Sequence, residues 1–190
     1  MTDRERYYAE PHRERLSFVK WINYFFFVGS CITPMNEYRD FEDFINYRGN
    51  ITKMPKYGNI WPACKRFGET LLCLVLFSIV HEFVDVKYML TPEFAAENIA
   101  FKVFFLILSM HEMIFRLFVA FGGIESNLIA TGLSYRPRTE KEPEEYNQYR
   151  AIEMIGFETA LNGAQSATRW NCFTNRWLKY YVQMRLMDRT

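Results

Sequence analysis

The 190-residue sequence predicts an all-α, polytopic helical membrane protein. Aromatic residues make up 18% of the chain, and phenylalanine is concentrated in runs such as "YFFFVG" and "FKVFFLIL", which favours contact with lipid. Residues 70–90 and 99–121 have the length needed to cross about 30 Å of hydrocarbon. No alternation of apolar and polar residues is long enough to build a sheet.

Composition limits the function classes. The net charge of +1 argues against a globally basic nucleic-acid-binding protein, so no nucleic-acid partner is predicted. The four cysteines show no CxxC or metal-ligand spacing and are expected to be reduced. The N-terminal stretch "MTDRERYYAEPHRERL" has no apolar region after its charges, unlike a signal peptide. We therefore expect membrane insertion to use internal segments.

Residues 16–36 form the first candidate membrane segment. The stretch from Trp21 to Asn36 carries no charge, but it is short and contains Pro34. A spanning helix needs about 20 apolar residues, and proline removes a backbone donor. This segment is therefore predicted to be a short or re-entrant membrane helix.

Residues 70–90 and 99–121 are predicted to be the two membrane helices, although both contain polar residues. These are His81, Glu82, Asp85 and Lys87 in the first helix and Lys102, His111, Glu112 and Arg116 in the second. A charge inside the membrane costs about 2.5–3.5 kcal/mol, so such side chains usually face a bundle interior or a water-filled cavity. We therefore expect a polar chamber, with Glu112 and Arg116 spaced for an ion pair. The mean hydropathy of −0.18 leaves a soluble helical protein as the alternative.

The remaining segments complete one predicted domain over residues 1–190. A basic loop over 47–69 and a charged linker over 136–149 contain prolines and clustered charges, which place them outside the hydrocarbon. The pair Gly122-Gly123 is interpreted as a helix end or bend. Residues 151–187 are predicted to be helical.

The pairs His81-Glu82 and His111-Glu112 resemble metal ligands at first sight. A zincin would need HExxH, but the fifth positions are Asp85 and Phe115. We interpret the pairs as interhelical hydrogen bonds and ion pairs, and predict no metal site.

The final segment, from Arg169 onward, predicts an amphipathic helix. An aromatic stripe of Trp170, Trp177 and Tyr181 adjoins a basic stripe of Arg169, Arg176 and Lys179. Such a helix suits an anionic membrane surface, and equally the surface of a soluble protein.

Two blocks of this sequence resemble the lysophospholipid branch of the membrane-bound O-acyltransferases. In "FFFVGSCITPMNEYRDFEDFIN", an aromatic run and a break at proline precede a "YxDFxxF" pattern at Tyr38, Asp40, Phe41 and Phe44. Thr33 stands where the family commonly has glycine.

The second block is "GFETALNGAQSATRWNCFTNRWLKYYVQMRL", from Gly156 to Leu186. It is similar to a family block with an E-T pair, a WN pair and a following basic aromatic helix, although Gln183 replaces the usual tyrosine. The matching residues are Glu158, Thr159, Trp170, Asn171, Thr174, Trp177, Leu178, Tyr181, Val182 and Arg185.

The resemblance implies a partial fold of this family with re-entrant or interfacial helices, in a multi-pass protein of the endoplasmic reticulum. It implies acyl transfer from acyl-CoA, as co-substrate, to a lysophospholipid hydroxyl, with no further cofactor. Membrane lipids, acyl-CoA and lysophospholipid are the implied partners, and a homo-oligomer is compatible with this reading. Asn171 is the implied catalytic residue, and Glu158, Trp170 and Trp177 are implied to bind substrate.

In this family a catalytic histidine follows the WN asparagine by a few tens of residues, and no histidine follows Asn171 here. His12, His81 and His111 match no catalytic position of the family. We therefore expect this chain to be an incomplete enzyme with little turnover. The alternatives are a non-catalytic lipid-binding protein derived from such an acyltransferase and a soluble helical interaction module.

Overall fold

The computed structural model describes residues 17–27, 37–138 and 143–187, to which the following statements refer. Within these ranges the ordered backbone is helical and forms no strand, apart from one isolated antiparallel bridge between Arg136 and Glu145. The all-α prediction is confirmed for this part of the chain.

Two short helices near the N-terminus pack through aromatic rings. They are α1 (Phe18–Phe25) and α2 (Tyr38–Ile45). Phe41 of α2 is buried, and its ring centroid lies 5.1 Å from that of Phe27, just after α1. Eight residues extend only about 12 Å, so α1 is too short to cross a bilayer. Residues 28–36 of the predicted re-entrant segment lie outside the described ranges.

The centre of the molecule is an antiparallel pair of long helices, α3 (Ile60–Phe83) and α5 (Ile99–Ala130). Between them lie a 3₁₀ turn (Val86–Leu90) and the short helix α4 (Pro92–Ala96). Three contacts show that the two helices are antiparallel, because residues later in α3 contact residues earlier in α5. They are Arg66 with Glu125, Thr70 with Gly122, and His81 with Glu112.

The boundaries of the first long helix differ from the prediction of 70–90. Its start at Ile60 lies inside the predicted basic loop, because Pro62 falls in the first turn, where no backbone N–H is required. Its end at Phe83 comes early, because Val84 and Asp85 are extended and the Asp85 side chain accepts a hydrogen bond from Lys87 N.

The second long helix continues past Gly122-Gly123, so the interpretation of this pair as a helix end is wrong, and the alternative of a bend stays a prediction. A Cβ atom at Gly122 would clash with Thr70 Oγ1 on α3, whereas one at Gly123 would meet no atom within 4 Å. Gly122 therefore leaves the space that the Thr70 side chain occupies, and a residue with a Cβ atom would not fit there without a shift.

Both long helices have the composition of membrane-crossing segments. The stretches Ile60–Leu90 and Ile99–Ala130 are long and apolar enough to span a bilayer, and only 17% of the most apolar window of each is buried within the described structure. The core helix of a soluble protein would be mostly buried. The exposed apolar faces favour contact with lipid.

The C-terminal part folds against α5 as several short helices. They are α6 (Met154–Glu158), α7 (Gly163–Arg169), α8 (Cys172–Trp177), a π-helical segment (Leu178–Gln183) and α9 (Met184–Met187). The prediction of one helix from Arg169 onward is wrong at its start, because the chain breaks at Trp170 and Asn171 between α7 and α8. The final residues, 188–190, lie outside the described ranges.

Candidate functional site

The break between α7 and α8 is a tight turn centred on Asn171. This residue adopts the left-handed conformation (φ 49°, ψ 51°), which asparagine tolerates better than most residues because its short side chain bonds locally. Asn171 Oδ1 accepts a hydrogen bond from Thr174 Oγ1 at 2.7 Å. The turn is closed by Asn175, whose Nδ2 donates to the carbonyls of Ala167 and Trp170.

The side chain of Asn171 is exposed. Among the described residues, Thr174 is its side-chain partner, and Nδ2 donates to none of them. The predicted catalytic residue therefore presents an amide N–H group to its surroundings. The turn that carries this group is held by the hydrogen bonds of Thr174 and Asn175. Its enclosure in a chamber remains a prediction.

The two predicted tryptophans have different environments. The ring centroid of Trp170 lies 4.9 Å from that of Phe157 and 6.2 Å from that of Phe118, so Trp170 joins the apolar core. Trp177 is 39% exposed and stacks on Tyr181 with ring centroids 5.8 Å apart. Trp170 therefore anchors the turn, whereas Trp177 lies on the outer face at the end of α8.

Glu158, the third predicted substrate-binding residue, ends α6 beside the core. Its Oε2 lies 3.6 Å from His111 Nε2 on α5, and both side chains are partly exposed. His111 Nδ1 donates to the carbonyl of Ile107 at 2.8 Å, which leaves Nε2 directed at the carboxylate. Glu158 therefore has an imidazole partner on α5, and a role in substrate binding remains a prediction.

A buried ion pair between α3 and α5 also supports the turn. Glu125 on α5 is 3% exposed, and its Oε2 lies 2.7 Å from Arg66 Nη2 on α3. Its Oε1 accepts hydrogen bonds from the backbone N–H groups of Ala151 and Ile152, at 2.5 and 3.2 Å. The Ala151 carbonyl in turn accepts from Cys172 N at 2.7 Å, directly after Asn171.

Sequence reasoning missed Arg66 and Glu125. One signal was present, because Glu125 is the only acidic residue between Glu112 and Glu140 and lies in an apolar helix. Buried charges of this kind are paired with a counter-ion, and Arg66 in the basic sequence that begins α3 is the partner.

Cys172, directly after Asn171, is partly buried. Burial, followed by the nearby Glu153 carboxylate, raises the pKa of its thiol. The thiol form therefore dominates at neutral pH, whereas nucleophilic cysteines are thiolates.

The first sequence block makes two polar contacts with later parts of the chain, one of them with the second block. Tyr149 Oη, which precedes the second block, donates to Asp40 Oδ2 of the "YxDFxxF" pattern at 3.0 Å. Tyr181 Oη, in the π-helical segment of the second block, donates to Glu37 Oε1 at the start of α2. The two blocks that carry the family resemblance are therefore neighbours in the fold.

A second polar cluster lies between the long helices. Glu112 on α5 is 5% exposed, and its Oε1 accepts from Arg116 Nη2 at 2.6 Å, which confirms the predicted ion pair. The same oxygen lies 3.1 Å from His81 Nδ1 on α3, and the His81 ring stacks on Phe77. The interpretation of His81 as an interhelical contact is confirmed. Among the described residues, no group of three His, Cys, Asp or Glu side chains gathers around a common point that could hold a metal.

The fold and these clusters define a class of protein: a helical membrane protein with polar groups between long apolar helices and an asparagine turn beside them. The sequence matches the family model described as MBOAT, membrane-bound O-acyltransferase family, over residues 2–189. Because this match covers nearly the whole chain, the chain belongs to the membrane-bound O-acyltransferase family.

Curated relatives point to one branch of the family. The chain is 27% identical to a lysophospholipid acyltransferase of Schizosaccharomyces pombe over 172 residues, which cover 85% of this chain and 33% of that protein. It is 26% identical to a lysophospholipid acyltransferase of Saccharomyces cerevisiae over 188 residues, covering 88% and 30%. Lysophospholipid acyltransferase 5 of Drosophila melanogaster is 22% identical over 158 residues, covering 83% and 31%. The chain therefore spans about a third of the length of these relatives.

Proposed function

We propose that this chain carries part of a site that transfers an acyl group from acyl-CoA to the free hydroxyl of a lysophospholipid. The observation that carries the proposal is the Asn171 turn, which combines the WN pair of the family block with an exposed amide on a rigid support. The names of the relatives support the lysophospholipid as acceptor.

The Asn171 turn can stabilise the negative charge that develops during acyl transfer. As the hydroxyl oxygen attacks the thioester carbonyl, negative charge develops on the carbonyl oxygen, and a preorganised N–H donor stabilises that charge. Asn171 Nδ2 is such a donor, because the left-handed backbone and the bond from Thr174 fix the side chain before substrate arrives. Trp170 packs on Phe157 and connects the turn to the apolar core.

Two further parts of the proposal concern the membrane in which the protein resides and the segments that complete its site. The two long apolar helices favour a multi-pass protein, and the family resemblance favours the endoplasmic reticulum. Since the relatives are about three times longer than the matched region, we also propose that further segments complete the site.

The test is an acyl-transfer assay with the protein expressed from its natural gene and purified in detergent. Acyl-CoA is supplied with a panel of lysophospholipids, and the ester product is measured by mass spectrometry. Asn171→Asp keeps the Oδ1 acceptor for Thr174 and removes the Nδ2 donor, so we expect kcat to fall by at least about tenfold.

Asn171→Gly is the matched control for the backbone, because glycine adopts the left-handed conformation freely. It should fold like the parent and lose activity as the aspartate variant does. Activity of both variants at the parental level would contradict the role of the amide. No ester product from the parent with any lysophospholipid would contradict the proposed function itself.

A further inference from the structure

The segment that leads into α3 is both basic and aromatic. Between Phe44 and Gly68 the sequence contains five basic residues and no acidic one. We propose that residues 47–65, the headgroup surface, bind the anionic headgroups of phospholipids in the surrounding bilayer. This inference goes beyond the proposed function, because it concerns the lipids around the protein and not the substrates of acyl transfer.

Four of the five basic side chains are available to an external anion. All four are exposed, and they are Arg48, Lys53, Lys56 and Lys65. In the described part of the chain, none of these four forms an ion pair with a carboxylate. The fifth, Arg66, is held by Glu125 and Glu69. The headgroup surface therefore carries positive charge that the described protein groups do not neutralise.

Three exposed aromatic residues accompany these charges. Tyr47 and Tyr57 are each 68% exposed, and Trp61 is 76% exposed. Tryptophan and tyrosine are enriched at the membrane–water interface, where their rings lie at the depth of the headgroups. The Lys56 ammonium lies 5.2 Å from the centroid of the Tyr57 ring, so a charge and an aromatic ring face the same ligand position.

The backbone holds both tyrosines in an unfavourable conformation. Tyr47 has φ 52° and Tyr57 has φ 62°, in the left-handed region that bulky residues rarely adopt. Glycine takes this conformation without strain, as Gly49 does at φ 68°. Because both rings are largely exposed, packing against the described protein does not explain aromatic residues at these positions. Contact with an external partner does explain them.

The length of α3 places this surface at the level of the headgroups. About 20 helical residues are needed to cross the hydrocarbon. Counted back from the end of α3 at Phe83, they reach Cys64. Trp61 and the segment before it therefore lie outside the hydrocarbon, and the long side chain of Lys65 reaches the same level.

Two hydrogen bonds hold the segment against the end of α5. Asn59 Nδ2 donates to the Ala130 carbonyl at 2.5 Å, and Tyr135 Oη donates to the Lys53 carbonyl at 3.1 Å. These bonds fix the backbone between Lys53 and Asn59 before any lipid binds. Lipid contact then requires little ordering of the chain, which favours binding.

The opposite end of the helix pair has the reverse charge. The segment 84–98 contains one basic residue, Lys87, and three acidic residues, which are Asp85, Glu93 and Glu97. Anionic headgroups are attracted to a basic juxtamembrane segment and not to an acidic one. Lys87, which is exposed as well, therefore serves as an internal control for the lysines of the headgroup surface.

The first measurement is the reactivity of lysines in the protein expressed from its natural gene and reconstituted in nanodiscs. An acetylating reagent modifies free amines, and mass spectrometry locates the products. With phosphatidylserine added to phosphatidylcholine, Lys53, Lys56 and Lys65 should react about fivefold more slowly than in phosphatidylcholine alone. Lys87 should change less. Equal changes at all four lysines, or no change at any of them, would overturn the proposal.

The second measurement is the lipid preference at Trp61. Brominated phospholipids quench tryptophan fluorescence on contact, and subtraction of the Trp61→Phe spectrum isolates the signal of Trp61. Brominated phosphatidylserine should quench this signal more strongly than brominated phosphatidylcholine at the same mole fraction. High salt should weaken the preference, because it screens exposed charges.

The lysine variants test the charges directly. A triple variant with Lys53→Gln, Lys56→Gln and Lys65→Gln should lower the preference for phosphatidylserine at Trp61 by at least about fivefold. Lys87→Gln is the matched control and should keep the parental preference. Equal quenching of the parent by both lipids would contradict the headgroup surface, and so would a triple variant that keeps the parental preference.

Soluble phosphate compounds provide the competing explanation. Coenzyme A and inorganic phosphate are therefore added separately to the protein in phosphatidylcholine nanodiscs. If either protects the three lysines as well as phosphatidylserine does, the segment binds a soluble phosphate and the proposal is wrong. None of these readouts requires acyl transfer, so they decide the lipid contact whether or not the protein has the proposed activity.

Tyr57→Gly separates lipid contact from folding. Glycine adopts the left-handed conformation freely, so the melting temperature in detergent should not fall, whereas loss of the ring should reduce the preference for phosphatidylserine. A lower melting temperature with an unchanged lipid preference would show that the Tyr57 ring supports the fold, and would overturn its assignment to the headgroup surface.

Discussion

Arg66 and Glu125 show how a charged pair is accommodated inside this helix pair. The Glu125 side chain is 4% exposed and that of Arg66 11%. Removing two charges from water costs several kcal/mol each, and the cost is offset only where the remaining hydrogen-bonding groups are satisfied. Both oxygens of Glu125 have partners, and Arg66 also donates to the Ile152 carbonyl and to Glu69, whereas the buried Arg66 Nε has no partner among the described residues. The pair therefore links α3, α5 and the segment before α6.

A substitution at Glu125 should destabilise the protein strongly. Glu125→Gln keeps an acceptor for the Ala151 and Ile152 N–H groups but leaves Arg66 without its buried counter-charge, so we expect a loss of about 3–5 kcal/mol. Glu69→Gln removes the more exposed partner of the same arginine and should cost less than about 1 kcal/mol. Denaturant unfolding in detergent measures both, and equal losses would contradict the assignment of the buried pair.

Glu37 gives the protein a pH-dependent contact. Burial raises the pKa of its carboxyl above 4.5, against the smaller opposing effect of the hydrogen bond from Tyr181. A raised folded-state pKa means that the protonated form is favoured on folding. The contribution of Glu37 to the free energy of unfolding should therefore be fully present below about pH 4.5 and should be lost as the pH rises through the folded-state pKa.

Glu37→Gln should remove this dependence and raise the melting temperature at pH 7, because the uncharged amide still accepts from Tyr181. Thermal unfolding in detergent between pH 4 and pH 8 provides the measurement, with Glu69→Gln as a control for a more exposed carboxyl. The assignment would be contradicted if the glutamine variant kept the parental pH profile.

At the scale of elements, the two long helices were predictable because apolar length is a strong local signal. Their ends were not, because the start at Ile60 depends on where a proline falls within the first turn. The need for glycine at position 122 of α5 depends on Thr70 of the neighbouring helix, which no local pattern reveals. The candidate site was likewise only partly predictable from the sequence. The resemblance identifies Asn171 and Trp170, but the left-handed turn and the support from Arg66 and Glu125 arise from tertiary contacts.

The adjacent glycines of α5 allow a matched test of the helix contact. Gly122→Ala places a Cβ atom against Thr70 Oγ1 and should destabilise the protein by about 1–3 kcal/mol, as overpacking does. Gly123→Ala meets open space and should stabilise the helix by up to about 1 kcal/mol.

Adding Thr70→Ala to the Gly122→Ala variant should recover part of the loss, because it removes the obstructing hydroxyl. Thermal unfolding of the four proteins in one detergent gives the comparison. Equal effects of alanine at the two glycines would show that the helices do not meet at Gly122.

At the scale of the whole molecule, the long helices have too little apolar burial to be the core of a soluble protein. Large apolar side chains are exposed along both helices, including Leu72, Val75, Phe104 and Ile107. The buried core lies instead where α5 meets the C-terminal segment, around Phe118, Leu128 and Ile152. The molecule thus has a lipid-facing helix pair and a packed region that carries the asparagine turn.

Membrane extraction tests this division. We expect the protein to remain in the pellet after alkaline carbonate and to be released by detergent, because two exposed apolar helices favour the bilayer. Quantitative release by carbonate would support the soluble alternative. An Ile107→Lys and Phe104→Lys double variant adds charge to the exposed face and should reduce the membrane-bound fraction.

The length of α5 has a mechanical consequence. Its 32 residues extend about 48 Å, well beyond an average hydrocarbon thickness of about 30 Å, so hydrophobic mismatch favours a tilted helix. Glu125 near the end of this helix holds the backbone of Ala151 and Ile152, and Ala151 holds Cys172 beside the turn. A change in the tilt of α5 would therefore move the segment that supports Asn171. The geometry of the site would then depend on the acyl-chain length of the lipids in the surrounding bilayer.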